Sequence, residues 1–249
     1  MRYDVCMLSY NTKDKTKKAI DSLIENSFYK IRIHVLDNNS SDGSQEMLKG
    51  YEKIGAIDTL ILSEVNLGFG KGNNKIFNAI KEPENIILFI NSDTEVSRDF
   101  DKRAVPFLLD NHSVGVVACS GDNIGALENP QRIEFINDRE YITKKNIVHS
   151  LDSFYYAPID RFSGFAFFIK TTLFKNIGGF DEDFKAYFED DALSIEVKKR
   201  GKNIVVVYDA YVKHFMGAST ANNPEIAEQL FQESKRIFLK KYPNEWTAR

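Results

Sequence analysis

Cysteine is scarce in this 249-residue chain: Cys6 and Cys119 are the only two, and both lie in apolar, strand-like runs. That scarcity excludes a disulfide framework and reads as buried free thiols in a reducing compartment. No apolar run approaches the ~20 residues that a membrane-spanning helix needs. Residues 1–6 run straight into a strand, without the long apolar stretch of a signal peptide. Both absences point to a cytoplasmic protein. A basic excess is missing too: 33 Lys and Arg stand against 36 Asp and Glu, a net charge of −3. This excludes a general nucleic-acid binder and leaves small-molecule chemistry as the better class. There is no internal repeat or low-complexity segment, and the length suffices for a substantial core in one large domain or one and a half.

What the chain does have is organised around residues 86–96, where the apolar run Ile86-Ile87-Leu88-Phe89-Ile90 stops abruptly at Asn91-Ser92-Asp93. Such a run reads as a strand buried on both faces, in the middle of a parallel sheet. Ligands of open α/β sheets sit outside the carboxyl ends of the strands, so Asp93 is placed where a carboxylate could hold a divalent cation against a diphosphate. Hard cations such as Mg²⁺ and Mn²⁺ accept one or two protein carboxylates together with phosphate oxygens. Ser92-Asp93 would serve equally as the cap of a following helix or turn. This stretch alone leaves the two readings open.

Around it, strand and helix patterns alternate. Strands are predicted at 5–8, 31–36, 59–62 and 114–119. Helices are predicted at 13–26, capped by Thr12, then from Asp42-Gly43-Ser44, at 69–80, and from Ser97 or Arg98 with an interruption near Pro106. This alternation predicts an α/β fold with a largely parallel sheet and helices on both faces. Later, 163–169 reads as another buried strand, followed by a helix from Thr171 or Thr172 that ends at Gly178-Gly179. A strand at 204–207 precedes a last helix, 225–241, with Ile226, Leu230, Ile237 and Phe238 toward the core. The middle, 121–160, reads as strands or a cover over the site, with Phe154 and Tyr155 packing against the core rather than stacking on sugar rings.

Three further strand ends carry polar clusters. They are Ser9-Tyr10-Asn11, Asp37-Asn38-Asn39-Ser40-Ser41-Asp42-Gly43-Ser44, and Asn66-Leu67-Gly68-Phe69-Gly70-Lys71-Gly72-Asn73-Asn74. A parallel sheet would bring all three to the edge that bears Asp93. Carboxylates and amides of the second suit a base and ribose, the glycines of the third let backbone approach a ligand, and Lys71 suits a phosphate. These residue types also dominate ordinary turns, but four clusters at successive strand ends favour a nucleotide site. The glycine spacing matches neither the dinucleotide fingerprint nor the phosphate loop of nucleoside triphosphatases.

In the second half, Phe180-Asp181-Glu182-Asp183-Phe184-Lys185-Ala186-Tyr187-Phe188-Glu189-Asp190-Asp191 opens a helix with carboxylates. The positive helix end accounts for them structurally, and a general base that takes the proton of an acceptor hydroxyl accounts for them functionally. His214, within Tyr211-Val212-Lys213-His214-Phe215-Met216-Gly217-Ala218-Ser219, is by itself an ordinary histidine. Lys235, Arg236, Lys240 and Lys241 form a positive end on the last helix, where a solvated face outweighs a peripheral contact with anionic lipid at the inner face of the membrane.

Together, Ser9-Tyr10-Asn11, the cluster from Asp37 to Ser44, Asn66-Leu67-Gly68-Phe69-Gly70 and Asn91-Ser92-Asp93-Thr94-Glu95 resemble the family 2 glycosyltransferases of GT-A-type fold, particularly their rhamnosyltransferase-like branch. The resemblance runs from Tyr3 to about Ser219, nearly the whole chain. It implies a Rossmann-like, mostly parallel sheet flanked by helices, in a single domain over residues 1–249. Within it, about 1–120 would bind a nucleotide-sugar and about 121–249 would form the acceptor-side half. The implied enzyme is inverting and metal-dependent, moving a hexosyl or deoxyhexosyl group from a nucleoside diphosphate sugar to a hydroxyl of a glycan or glycolipid, as in cell-surface polysaccharide or glycoconjugate synthesis.

The same resemblance distributes the roles. Ser9, Tyr10, Asn11, Asp37, Asn39, Asn66, Gly68, Lys71, Asn91 and Ser92 would hold the donor. Asp93 would belong to the metal-binding DXD-type motif, with Asn91 in place of its first Asp, and His214 would be a further ligand to Mn²⁺ or Mg²⁺ or to the diphosphate. Gly164, Gly179, Phe180 and Glu189 would lie on the acceptor side, with Asp190 as the base. The usual pattern has another Asp two residues later, where this chain has Ala192, with Asp191 between as the alternative base. Successive helical residues point about 100° apart, so Asp190 and Asp191 cannot serve interchangeably. Two other readings rank below. A sugar nucleotidyltransferase should carry a Gly-rich, basic triphosphate loop near the N-terminus, and residues 9–18 hold no glycine. A catalytically silent nucleotide-sugar-binding module is suggested by Ala192 alone.

Overall fold

The computed structural model describes residues 1–124, 129–137, 140–143, 148–150, 154–215 and 224–245. The first half runs β1 (Arg2–Ser9), α1 (Lys13–Asn26), β2 (Lys30–Asp37), α2 (Ser44–Lys53), β3 (Thr59–Leu62), α3 (Phe69–Ala79), β4 (Ile86–Asn91), β5 (Thr94–Val96), α4 (Asp101–Asp110) and β6 (Val114–Ser120). Then come β7 (Ile133–Phe135), β8 (Glu140–Thr143), β9 (Val148–Ser150), β10 (Tyr156–Ile159), β11 (Ala166–Lys170), α5 (Thr171–Ile177), α6 (Glu189–Lys199), β12 (Asn203–His214) and α7 (Pro224–Lys241).

The main sheet has the order β10-β12-β6-β11-β4-β1-β2-β3, with β5 paired to β12. β4 lies inside it, and its side chains alternate between two cores, Ile86, Leu88 and Ile90 on one face, Ile87 and Phe89 on the other. Each such burial stabilises by about 1.5–3 kcal/mol over exposure, which is why this run holds the sheet's interior. Cys6 and Cys119 are fully buried free thiols in opposite cores, and burial pushes both thiol pKa values up. β1 pairs in parallel with both β2 and β4, and β2 with β3, so Ser9, Asp37, Leu62 and Asn91 finish at one edge.

The structure departs from the sequence reading in several places. The strand expected from Ser163 begins at Ala166 and runs antiparallel between β4 and β6, so the parallel sheet carries a reversed strand at its middle. α4 starts at Asp101 rather than at Ser97 or Arg98, because Asp99 is left-handed (φ 58°) and turns the chain first. Pro106 does not interrupt it: the carbonyl of Lys102, which loses its helical donor to the proline, accepts the Tyr29 hydroxyl at 3.3 Å. Thr12 precedes α1, but its hydroxyl meets Thr16 and Ser92, and Asp42 Oδ2 takes the first helical N–H, that of Lys13, at 2.8 Å. Lastly, Ile226 is half exposed on α7, whereas Phe238 is fully buried against α6.

In the middle region, β7, β8 and β9 form a small antiparallel sheet. Ile133 and Tyr141 from it pack on Val206 and Tyr208 of β12. Tyr155 stacks on Tyr208 at 5.2 Å, while Phe154 stays partly exposed beside Phe107 and Tyr156. Residues 144–147 and Met216-Gly217-Ala218-Ser219 lie outside the described residues.

Candidate active site

At the carboxyl edge the first two clusters are laced together before any ligand is considered. Asn11 adopts a left-handed conformation (φ 51°), its N–H donates to Ser40 Oγ at 2.9 Å, and its Oδ1 accepts the N–H of Ser41 at 2.8 Å. Ser9 Oγ meets Thr16 Oγ1 at 3.1 Å inside the protein, and Tyr10 is half-buried. Asp37 is fully buried; its Oδ1 accepts the N–H of Ser40 and an Nε2–H of Gln45, but its Oδ2 has no hydrogen-bond partner among the described residues. Burial would raise the Asp42 carboxyl, yet the Ser44 hydroxyl and the N–H groups of Lys13 and Ser44 hold it below its ordinary range, as befits a cap. Asn39 is exposed and left-handed (φ 70°), and its buried neighbour Asn38 makes the structural bonds, to Asn66 at 2.8 Å and to the N–H of Leu67 at 2.7 Å.

The glycines of the third cluster approach protein. A Cβ on Gly68 (φ 77°) would lie 2.4 Å from the carbonyl oxygen of Lys185, one on Gly70 would lie 3.2 Å from Phe180 Cβ, and one on Gly72 would lie 2.5 Å from Leu8. Their small size lets α3 close on β1 and on the segment before α6. Lys71 is exposed and forms no ion pair among the described residues.

Beyond β4, Asn91 and Ser92 are held in the turn: Asn91 accepts the Thr94 hydroxyl at its carbonyl, and Ser92 Oγ meets Thr12 Oγ1 at 3.1 Å. β5 then pairs with β12, setting Thr94 opposite His214, so Asp93 Oδ1 lies 3.3 Å from His214 Nε2. His214 is fixed from two sides: its ring stacks on Phe165 at 5.2 Å and its Nδ1 lies 3.0 Å from the carbonyl of Asn123. A carbonyl only accepts, so Nδ1 carries the hydrogen, and in the neutral ring the Nε2 lone pair faces the Asp93 carboxylate. Two electron-rich atoms so placed need a cation or a second proton between them. The pair therefore fits Mn²⁺ or Mg²⁺, with Nδ1 oriented as in metal-bound histidines. Among the described residues no group of three or more His, Cys, Asp or Glu side chains that could hold a metal is found.

The second half brings Asp190 to α6's first turn. Its Oδ2 accepts the N–H of Gly164 at 3.0 Å, and its Oδ1 accepts the N–H of Asp191 at 2.9 Å. A Cβ on Gly164 would lie 3.2 Å from Asp190 Cβ, which explains a glycine there. Asp190 is half-buried, Glu189 is buried, and Asp191 is fully buried with Arg161 at 3.5 Å. Just before them Tyr187 (φ 66°) and Phe188 (φ 69°) are both left-handed, a strained approach of the sort found at functional sites. Phe180 is a core residue packed on Phe69, Phe89 and Phe174, and Gly179 (φ 85°) leaves room for Asn74, whose side chain grips the backbone of Phe180 at both N–H and carbonyl. Asn38 and Asn74 stand in the polar clusters without a role of their own, and Gln131 and Arg161 carry no motif at all. Gln131 is fully buried and accepts the N–H of Ser163 at 2.6 Å while donating to the carbonyl of Cys119. Their signal lies in partners distant along the chain.

The Glycosyl transferase family 2 model matches residues 4–178. "Probable glucomannan 4-beta-mannosyltransferase 3" of Arabidopsis thaliana is 24% identical over 220 residues, 85% of this chain and 37% of that protein. Mannosyltransferase PcManGT from Pyrobaculum calidifontis, solved in complex with GDP-Man and Mn²⁺, superposes with a TM-score of 0.67 at 19% identity, over 94% of this chain and 64% of that one. S. aureus TarS 1-349 in complex with UDP gives 0.62 at 19% identity, over 96% and 66%. The chain spans 37% and 52% of the two curated relatives it matches. The structural likenesses establish the GT-A fold, and the match over residues 4–178 establishes the lineage: this chain belongs to glycosyl transferase family 2.

Proposed function

We propose that the chain is an inverting, metal-dependent glycosyltransferase that moves a sugar from a nucleoside diphosphate sugar to a hydroxyl of a glycan or glycolipid. The observation that carries this reading is the Asp93–His214 pair, 3.3 Å apart at the carboxyl edge of the sheet, with the other histidine nitrogen already engaged. In this account residues of the first 120 positions hold the donor and the remainder forms the acceptor side. Asp37 offers its unpartnered Oδ2 to an N–H of the base, and exposed Lys71 meets phosphate. A bound Mn²⁺ or Mg²⁺, held by Asp93 and His214, would offset charge on the departing diphosphate. Asp190, its rotamer fixed by Gly164, takes the proton of the acceptor hydroxyl as the oxygen attacks the anomeric carbon. The new C–O bond forms as the bond to the diphosphate breaks, and the electron pair leaves with the diphosphate. Attack from the opposite side inverts the anomeric centre.

The test is turnover with UDP- and GDP-sugars, following nucleoside diphosphate release and the anomeric configuration of the product. Expected is Mn²⁺-stimulated turnover with inversion, and a loss of roughly 10²-fold or more in kcat for Asp190→Asn at nearly constant donor affinity. Retention of configuration, or full turnover by Asp190→Asn, overturns the mechanism.

A further inference from the structure

Arg161 lies in the link between β10 and β11, and its guanidinium is a meeting point of three elements. Nη1 faces Asp191 Oδ1 of α6 at 3.5 Å, Nη2 donates to the main-chain carbonyl of Glu245 and faces its carboxylate at 3.5 Å, and the group lies over the Phe238 ring of α7, 5.5 Å from the centroid. The side chains of Arg161 and Asp191 are 18% and 1% exposed. The same link grips α6 at two more points: the N–H of Phe162 donates to Ser194 Oγ at 3.3 Å, and the N–H of Gly164 to Asp190 Oδ2 at 3.0 Å. Ser194 in turn donates to the carbonyl of Asp190 at 2.7 Å. From the other side, Phe231 of α7 lies against Tyr187 and Phe188, the two left-handed residues that lead into α6, and Phe238 lies against Phe188.

A buried ion pair is a weak source of stability, since apolar residues of similar volume commonly replace it without loss; what it can fix is geometry. Resting on the reading of Asp190 as base, we propose that Arg161 is a positioning residue: through Asp191 and α7 it sets the first turn of α6, and so the angle at which Asp190 meets the acceptor hydroxyl. The carboxylate of Asp191 belongs to this brace and not to proton transfer.

The experiment compares kcat, donor KM and Tm of the full chain for Arg161→Met, Arg161→Lys, the charge-free double variant Arg161→Met/Asp191→Leu, and Asp190→Asn. Expected for the double variant are a Tm within a few degrees of the parent and a donor KM within about 2-fold, with kcat down ~10- to 100-fold, the cost of misplacing a reacting group by about 1 Å. Arg161→Lys recovers part of the kcat lost in Arg161→Met. A double variant with parental Tm and parental kcat overturns the inference, as does a kcat loss that merely follows the fraction of folded protein. Asp190→Asn separates the two ideas: if it retains turnover, the base assignment fails, and if it is inactive while the Arg161 variants are fully active, the positioning role alone fails.

Discussion

His214 presents a lone pair to Asp93 because its other nitrogen is committed to the Asn123 carbonyl. In the proposed metal site, removing the ring would leave one protein carboxylate. His214→Ala should therefore weaken the apparent Mn²⁺ affinity in the presence of UDP or GDP by ~10-fold, read by Mn²⁺ titration with electron paramagnetic resonance. Unchanged affinity would reduce His214 to a ring packed on Phe165. A place at a strand end made Asp93 a candidate, whereas His214 and Asp190 were named through the family resemblance. Motif spacing could not rank Asp190 against Asp191. That ranking depends on Arg161, 30 positions away, which leaves Asp191 wholly buried and Asp190 half open. Nor could it separate exposed Asn39 from buried Asn38, since only the fold shows which amide reaches Asn66.

Among elements, the glycine-rich start of α3 owes its composition to close packing. Gly68 combines a left-handed φ with a carbonyl 2.4 Å from where a Cβ would be, so Gly68→Ala should destabilise by about 1–3 kcal/mol, measured by urea unfolding. Gly50, inside α2 with nothing within 4 Å of its Cβ position, is the contrast: Gly50→Ala should stabilise by about 0.5–1 kcal/mol. If both variants move stability alike, the close approach to Lys185 is not what demands a glycine. Most boundaries were legible, as with 59–62 and 69–80, because apolar periodicity and capping residues are local. The start of α4 was not, since it depends on Asp101 accepting the N–H groups of Phe28 and Tyr29 and the Tyr3 hydroxyl. Strand direction in β11 was equally invisible: an all-apolar run reads the same either way.

At the scale of the molecule, the two edges of the sheet differ in how fully their buried charges are satisfied. Away from the site, Asp4 is completely enclosed by Arg32 at 2.8 and 3.1 Å, His34 at 3.0 Å and the N–H of Glu84 at 2.7 Å. Burial alone would raise its carboxyl, but these partners hold it below its usual value, as a structural ion cluster should. At the carboxyl edge, Asp37 Oδ2 has no hydrogen-bond partner among the described residues, and Asp93 Oδ1 lies 3.3 Å from His214 Nε2. That asymmetry supports the ligand side proposed above. It was legible only as four polar clusters, whose turn-forming and ligand-binding uses draw on the same residue types; Asn11 and Gly68 turned out to hold protein, and Asp37 keeps one oxygen unpaired among the described residues.

The central claim is a metal-dependent nucleoside diphosphate site at that edge. The most direct measurement is calorimetric titration of the chain and of Asp93→Ala with UDP and GDP, each with Mn²⁺ and with excess chelator. The account expects one of the two nucleotides to bind the parent chain in Mn²⁺, at least ~10-fold more weakly after chelation, about 1.4 kcal/mol. Asp93→Ala should keep a Tm near the parental value and show the weaker affinity under both conditions, since Asp93 belongs to none of the buried apolar clusters. Equal affinity with and without metal in the parent, or undiminished Mn²⁺-dependent binding by Asp93→Ala, would contradict it.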